Sequence, residues 1–166
     1  MRFLHPPRTS GRSIVNSWGL VAPEYIGHKP PKPDDGWSYG FTRNPWDRVV
    51  SLWHLAHKTE PVVSLEEWIV GGMQPDPSSG RRFGPHICLP TAAWLGKADW
   101  IGRFETRGED LIELADTLNR DVPVLHQNKS EHRSTPSYHE HYTDRARALV
   151  AEKYAIDVAL YGYSFD

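Results

Sequence analysis

The chain has 166 residues, with 19 lysines and arginines against 21 aspartates and glutamates, for a formal charge of -2 at pH 7. A balance this close to neutral excludes a general nucleic-acid binder, which needs a clear basic excess; a chain of this size is served by one hydrophobic core, so residues 1–166 are expected to form a single domain. No run of 18 apolar residues offers a membrane span, no apolar segment follows Met1, and the lone Cys88 has no internal disulfide partner, so a soluble, cytoplasmic chain is expected.

Residues 2–5 form a short apolar run stopped by Pro6 and Pro7, and from Ser13 onward Ile14, Val15 and Trp18 follow helical spacing. The unit predicted is strand, loop, helix. Prolines 30, 31 and 33 mark an irregular connection. Over residues 37–43, Trp37, Tyr39 and Phe41 alternate with Ser38, Gly40 and Thr42, the period of a strand. Asn44 followed by Pro45, with Asp47 in the first turn, predicts a helix running to about His57. Ser64 with Glu67 has capping-box spacing and opens a helix through Val70 that Gly71 and Gly72 end. A third strand is expected over residues 99–104. Thr106 with Glu109 repeats the capping-box spacing before Leu111, Ile112, Leu114, Ala115 and Leu118, and Thr143 or Asp144 starts a last helix bearing Ala146, Leu149, Val150 and Tyr154. Strands alternating with helices predict an α/β fold, a mainly parallel sheet flanked by helices with ligands beyond the C-terminal strand ends.

Two segments gather cations and hydroxyls where a strand runs into a helix: Pro7-Arg8-Thr9-Ser10-Gly11-Arg12-Ser13 and Arg43-Asn44-Pro45-Trp46-Asp47-Arg48-Val49-Val50-Ser51. Unpaired N–H groups and the positive end of the dipole suit a helix start to an anion. The first segment is a departure from the nucleotide P-loop, with Pro6 for its first glycine and Arg12 for its lysine. Gly11 lets the backbone come close to an anion, and Arg8, Thr9, Arg12 and Ser13 offer side-chain donors. Read alone, the segment is equally a Pro-Gly turn with incidental arginines. In the second, Arg48, Ser51 and His54 share one helix face, and Arg43 lies just outside the cap. A planar guanidinium fork makes Arg43 an anchor for phosphate; the alternative is a structural pairing of Arg43 or Arg48 with Asp47 or another carboxylate.

Side by side, the two segments resemble the 5'-phosphosulfate loop and the 3'-phosphate motif of the sulfotransferases that use 3'-phosphoadenosine 5'-phosphosulfate (PAPS), closest to the carbohydrate sulfotransferase branch. Phe3 through Ile14 is similar to that family's strand followed by Pro-Lys-Thr-Gly-Gly-Thr-Ser, and Phe41 through Ser51 to its RNPxxRxxS pattern. Gly102-Arg103-Phe104-Glu105, Asn128-Lys129-Ser130 and the stretch from Tyr142 to Tyr163 extend the similarity over nearly the whole chain. The resemblance implies a P-loop-like sulfotransferase fold in which Arg8, Thr9, Ser10, Gly11, Arg12 and Ser13 hold the 5'-phosphosulfate, Arg43 and Ser51 take the 3'-phosphate, and Lys129 adds a contact. Arg8 stands where the family has its loop lysine, so Arg8, with Arg12, is expected to take over the neutralisation of the leaving oxygen.

Sulfuryl transfer needs in-line alignment and stabilised charge on the transferring and leaving oxygens, and a hydroxyl acceptor gains from a general base. Of nine histidines, His28 matches the place between the two motifs where some carbohydrate sulfotransferases carry a histidine thought to deprotonate the acceptor, and His54 is a second candidate. No metal is expected, because the close pairs His54 with His57 and His139 with His141 lack a clear third ligand. The expectation is a PAPS-dependent sulfotransferase acting on a hydroxyl of a carbohydrate or similar small acceptor, with no membrane or nucleic-acid partner. Two alternatives are a P-loop-like nucleotide or small-molecule kinase and a non-catalytic PAP- or glycan-binding domain.

Overall fold

A computed structural model describes residues 1–25, 27–29, 36–57, 63–75, 77, 84–122 and 137–166. In chain order the elements are β1 (Arg2–Leu4), α1 (Gly11–Trp18), β2 (Ser38–Thr42), α2 (Pro45–Ala56), α3 (Leu65–Val70), a 3-10 turn (Pro85–Cys88), α4 (Ala92–Leu95), β3 (Trp100–Arg103), α5 (Arg107–Thr117), a second 3-10 turn (Tyr138–His141), α6 (Asp144–Lys153) and α7 (Ala155–Tyr161). The fold is α/β, with a three-stranded parallel sheet in the order β1-β2-β3 flanked by helices. Contacts gather the described residues into two units, Met1–Arg43 with Ala93–Arg133, and Asn44–Ala92 with Ser134–Asp166. No helix among the described residues is long and apolar enough to cross a membrane.

The first unit holds the sheet. Phe3 aligns with Tyr39, and Phe41 with Gly102, so aromatic side chains meet on one face. There Phe3, Tyr39 and Phe41 pack with Ile14 and Leu20 from the α1 side and with Leu111 and Leu114 of α5. All five residues of β2 are buried, as expected of the central strand of a parallel sheet covered on both faces. Gly40 is required by that covering: a Cβ there would lie 2.5 Å from the Leu4 carbonyl oxygen and 2.6 Å from Leu95 Cδ2.

The second unit is helical. Asn44 caps α2 by accepting the Trp46 N–H at 3.0 Å and donates to the Ser164 carbonyl at 2.8 Å, tying the helix start to the chain's end. The capping box of Ser64 and Glu67 forms as its spacing predicts. The one at Thr106, which lies in the first unit, does not: Asp110 accepts from both the Thr106 hydroxyl and the Arg103 N–H, leaving the Thr106 side chain out of the cap. The last helix is two, broken at Tyr154, whose buried ring sends its hydroxyl to the Cys88 carbonyl at 2.8 Å. Asp157, fully buried, accepts the N–H groups of Thr91 and Ala92 at 2.7 and 2.8 Å.

Candidate functional site

Between β1 and α1 the backbone takes two costly conformations. Arg8 (φ 68°) and Ser10 (φ 70°) are both left-handed without being glycine, at about 1–3 kcal/mol each. Left-handed residues are one component of anion-binding nests, in which successive N–H groups face one side. Thr9, 1% exposed, shapes the loop from within by donating its hydroxyl to the Pro6 carbonyl at 2.8 Å. Arg8 and Arg12 are exposed, and α1 begins at Gly11, two residues before the sequence places it.

Each strained residue is held by an arginine from a distant part of the first unit. Arg43, just past β2 and 3% exposed, donates Nη1–H to the Arg8 carbonyl at 3.0 Å. Arg107, the first residue of α5, donates Nη1–H to Ser10 Oγ. Both guanidiniums lie against one ring: the Cζ atoms of Arg43 and Arg107 are 4.1 and 5.0 Å from the Phe104 centroid. The quadrupole of that ring offsets part of the cost of bringing two cations to one place. Two guanidiniums from outside thus reach residues 8–13, which themselves carry the exposed Arg8 and Arg12 and lead into the N-terminus of α1, residue types suited to a phosphate or sulfate group.

His28 stands beside this loop through His5. His28 Nδ1 is 2.8 Å from the His5 carbonyl oxygen, and since a carbonyl only accepts, Nδ1 carries a proton; in the neutral form of the ring the lone pair is then on Nε2. The two rings are 4.2 Å apart, and Trp94 Nε1–H donates to the His28 carbonyl at 3.1 Å. His5 is 4% exposed. Burial first, then the neighbouring His28 and Arg12, lower its pKa to about 3.

That depression carries a stability consequence. An unfolded His5 takes up a proton near pH 6.5 while the folded one does so only near pH 3. Its contribution to stability is full above pH 6.5 and is lost as pH falls toward 3, amounting to about 3 kcal/mol between pH 7 and pH 4. Urea unfolding midpoints should drop over that interval and flatten in His5→Asn; equal slopes in the two proteins would refute the assignment.

Of the residues predicted from sequence, Arg8, Thr9, Ser10, Gly11, Arg12, Ser13, His28 and Arg43 lie in the first unit, and Arg43 meets the loop directly. Ser51, 5% exposed on α2, belongs to the second unit. Lys129 lies outside the described residues. Arg48 is a fold residue: with 0% exposure it donates to the carbonyls of Ile87 and Leu89, both at 2.9 Å, and its Cζ lies 5.8 Å from the Tyr154 centroid. His54 and His141 pack around Trp53, with ring centroids 4.9 and 5.3 Å from it, and His139 turns to the Phe165 carbonyl. Among the described residues no group of three or more His, Cys, Asp or Glu could hold a metal ion. Sequence reasoning missed Arg107, yet it left a signal: a cation at the first position of a helix opposes the macrodipole and calls for another partner. Compared with protein-family models, curated proteins and solved structures, the chain finds no match in any of the three.

Proposed function

We propose that this chain is a sulfotransferase that moves a sulfuryl group from PAPS to a hydroxyl of a carbohydrate or similar small acceptor, on a P-loop-like sulfotransferase fold. The observation that carries the reading is the doubly clamped loop, in which Arg43 and Arg107 fix the two left-handed residues of an arginine-rich turn at the head of α1. Strain of this kind persists where the surroundings over-determine it, and it collects at ligand clamps. Arg8, Ser10, Gly11, Arg12 and Ser13 are assigned to the 5'-phosphosulfate and Arg43 to the 3'-phosphate. His28, with its lone pair on Nε2, is assigned as general base.

In the step proposed, the acceptor hydroxyl gives its proton to His28 Nε2 while its oxygen forms a bond to sulfur. The bond from sulfur to the bridging phosphate oxygen breaks, and its electron pair leaves with that oxygen on PAP. Arg8 and Arg12 balance the charge that develops there. An arginine at position 8 supplies fixed hydrogen bonds and has no realistic proton to lose, so neutralisation is electrostatic.

Calorimetric titration of the full chain with PAP should give a micromolar Kd, and labelled PAPS should pass its label to hydroxyl acceptors. Folded protein that takes up no PAP, or that binds Mg-ATP more tightly than PAP, overturns the reading. PAP binding without transfer to any member of a broad glycan panel reduces the chain to a PAP-binding domain.

A further inference from the structure

Neither motif names the residue that lies between the loop and His28. The His5 ring fills the space that a side chain at position 11 would need: a Cβ on Gly11 would fall 2.1 Å from His5 Cδ2 and 2.4 Å from Nε2, far inside contact distance. This gives Gly11 a reason of its own, since α1 accepts glycine in its first turn because an imidazole occupies the side-chain volume. The same ring faces His28 with centroids 4.2 Å apart, and the same residue's carbonyl takes the His28 Nδ1 proton. Tyr25 holds the other side, its hydroxyl 3.0 Å from His5 Nδ1, and Phe3 stacks on the ring at 5.7 Å. Four neighbours therefore leave His5 one orientation, and two of them are the loop and the histidine assigned as base.

We propose that His5 is the positioning residue of this site: one buried imidazole sets the seat of the loop at Gly11 and carries His28 on its ring and carbonyl, holding the Nε2 lone pair in fixed register with the anion cradle. The inference rests on the reading of the loop as an anion cradle and of His28 as proton acceptor. His5 suits the part because it stays uncharged. The groups that face it are His28, Arg12 and Tyr25, and burial with the first two of these keeps its proton affinity low. When His28 takes the acceptor's proton on Nε2, the Nδ1–H bond to the His5 carbonyl is unchanged and the neighbouring ring adds no repelling charge. Register matters at this scale, because misplacing a reacting group by about 1 Å can cost about 100-fold in rate.

The test combines ring-nitrogen NMR with PAP titration on the full chain. In the wild type, His28 should show a single tautomer protonated on Nδ1. Gly11→Ala forces a methyl into the His5 ring, so the His28 signals should shift toward mixed tautomers and the Kd for PAP should rise about tenfold, the scale of coupling between touching residues. Adding His5→Ala vacates the space: PAP affinity should recover to within about threefold while His28 stays mixed, a non-additivity that independent roles do not give. Tyr25→Phe is the mild variant, removing only the hydroxyl on His5 Nδ1, and should broaden the His28 tautomer signature with the fold intact. An unchanged His28 signature in Tyr25→Phe and Gly11→Ala, or a Gly11→Ala defect that His5→Ala does not relieve, overturns the proposal. Absence of PAP binding in the wild type removes the functional reading instead, and the NMR arm then decides the His5 proposal by itself.

Discussion

Arg43→Ala is expected to weaken PAP binding by about 30- to 100-fold while leaving the protein folded. The side chain is 3% exposed, stacked on Phe104 and bonded to the Arg8 carbonyl. On the proposed reading, its loss removes a charge-assisted contact to phosphate worth about 2–3 kcal/mol, and each 1.4 kcal/mol is a factor of ten. It also frees the carbonyl that fixes Arg8 in its left-handed state, so the cradle itself loosens. Arg43→Lys should restore little, because an ammonium lacks the planar fork that reaches carbonyl and phosphate together and stacks flat on the ring. Arg107→Ala should weaken binding less, by about three- to tenfold, since it clamps Ser10 through a side-chain hydroxyl. Calorimetric titration at a temperature well below each variant's melting point reads these values. Wild-type affinity in folded Arg43→Ala would remove Arg43 from the site and with it the main support for a PAPS enzyme.

Much of the frame was legible in sequence because it is written in local terms. The alternation over residues 37–43 gave β2, and Asn44-Pro45 gave the start of α2, since cap, proline and dipole all act within one turn. The errors come where a distant group overrides a local rule. Gly11 and Arg12 read as loop, yet they are helix, because the reason for a glycine at that position is the His5 ring. Thr106 has the right spacing for a cap, but the Asp110 carboxylate takes its hydroxyl. The Arg43 motif and the Pro7 to Ser13 loop read in sequence as the two ends of one PAPS site, but the direct hydrogen bond from Arg43 to the Arg8 carbonyl is a contact across 35 residues that no local pattern encodes. Arg107 is farther still, 97 residues from Ser10. Only its mismatch with the helix dipole marked it in the sequence.

The two arginines of the second motif make opposite predictions, and Arg48 supplies the larger effect on stability. Arg48→Ala should destabilise the protein by about 3–5 kcal/mol, the range for breaking a buried polar network and leaving a cavity. Its guanidinium, with no exposed surface, satisfies the carbonyls of Ile87 and Leu89 and lies against Tyr154. Truncation leaves both carbonyls without those bonds, at about 1–3 kcal/mol for each acceptor that stays buried and unsatisfied, and empties the volume of a long side chain. Arg48→Met refills the volume without the donors and should recover only part of the loss. Arg48→Lys, able to reach one carbonyl more readily than two, should fall between wild type and Met. For a chain of this length the alanine variant's melting temperature should drop by about 10–15 °C. A change of less than about 3 °C in Arg48→Ala would mean that the 3-10 turn and Tyr154 are held by other contacts. The pattern RNPxxRxxS would then divide between ligand and fold differently: its first arginine is assigned here to the anion, and its second anchors the turn at Pro85–Cys88 and the break between α6 and α7 from inside the helix.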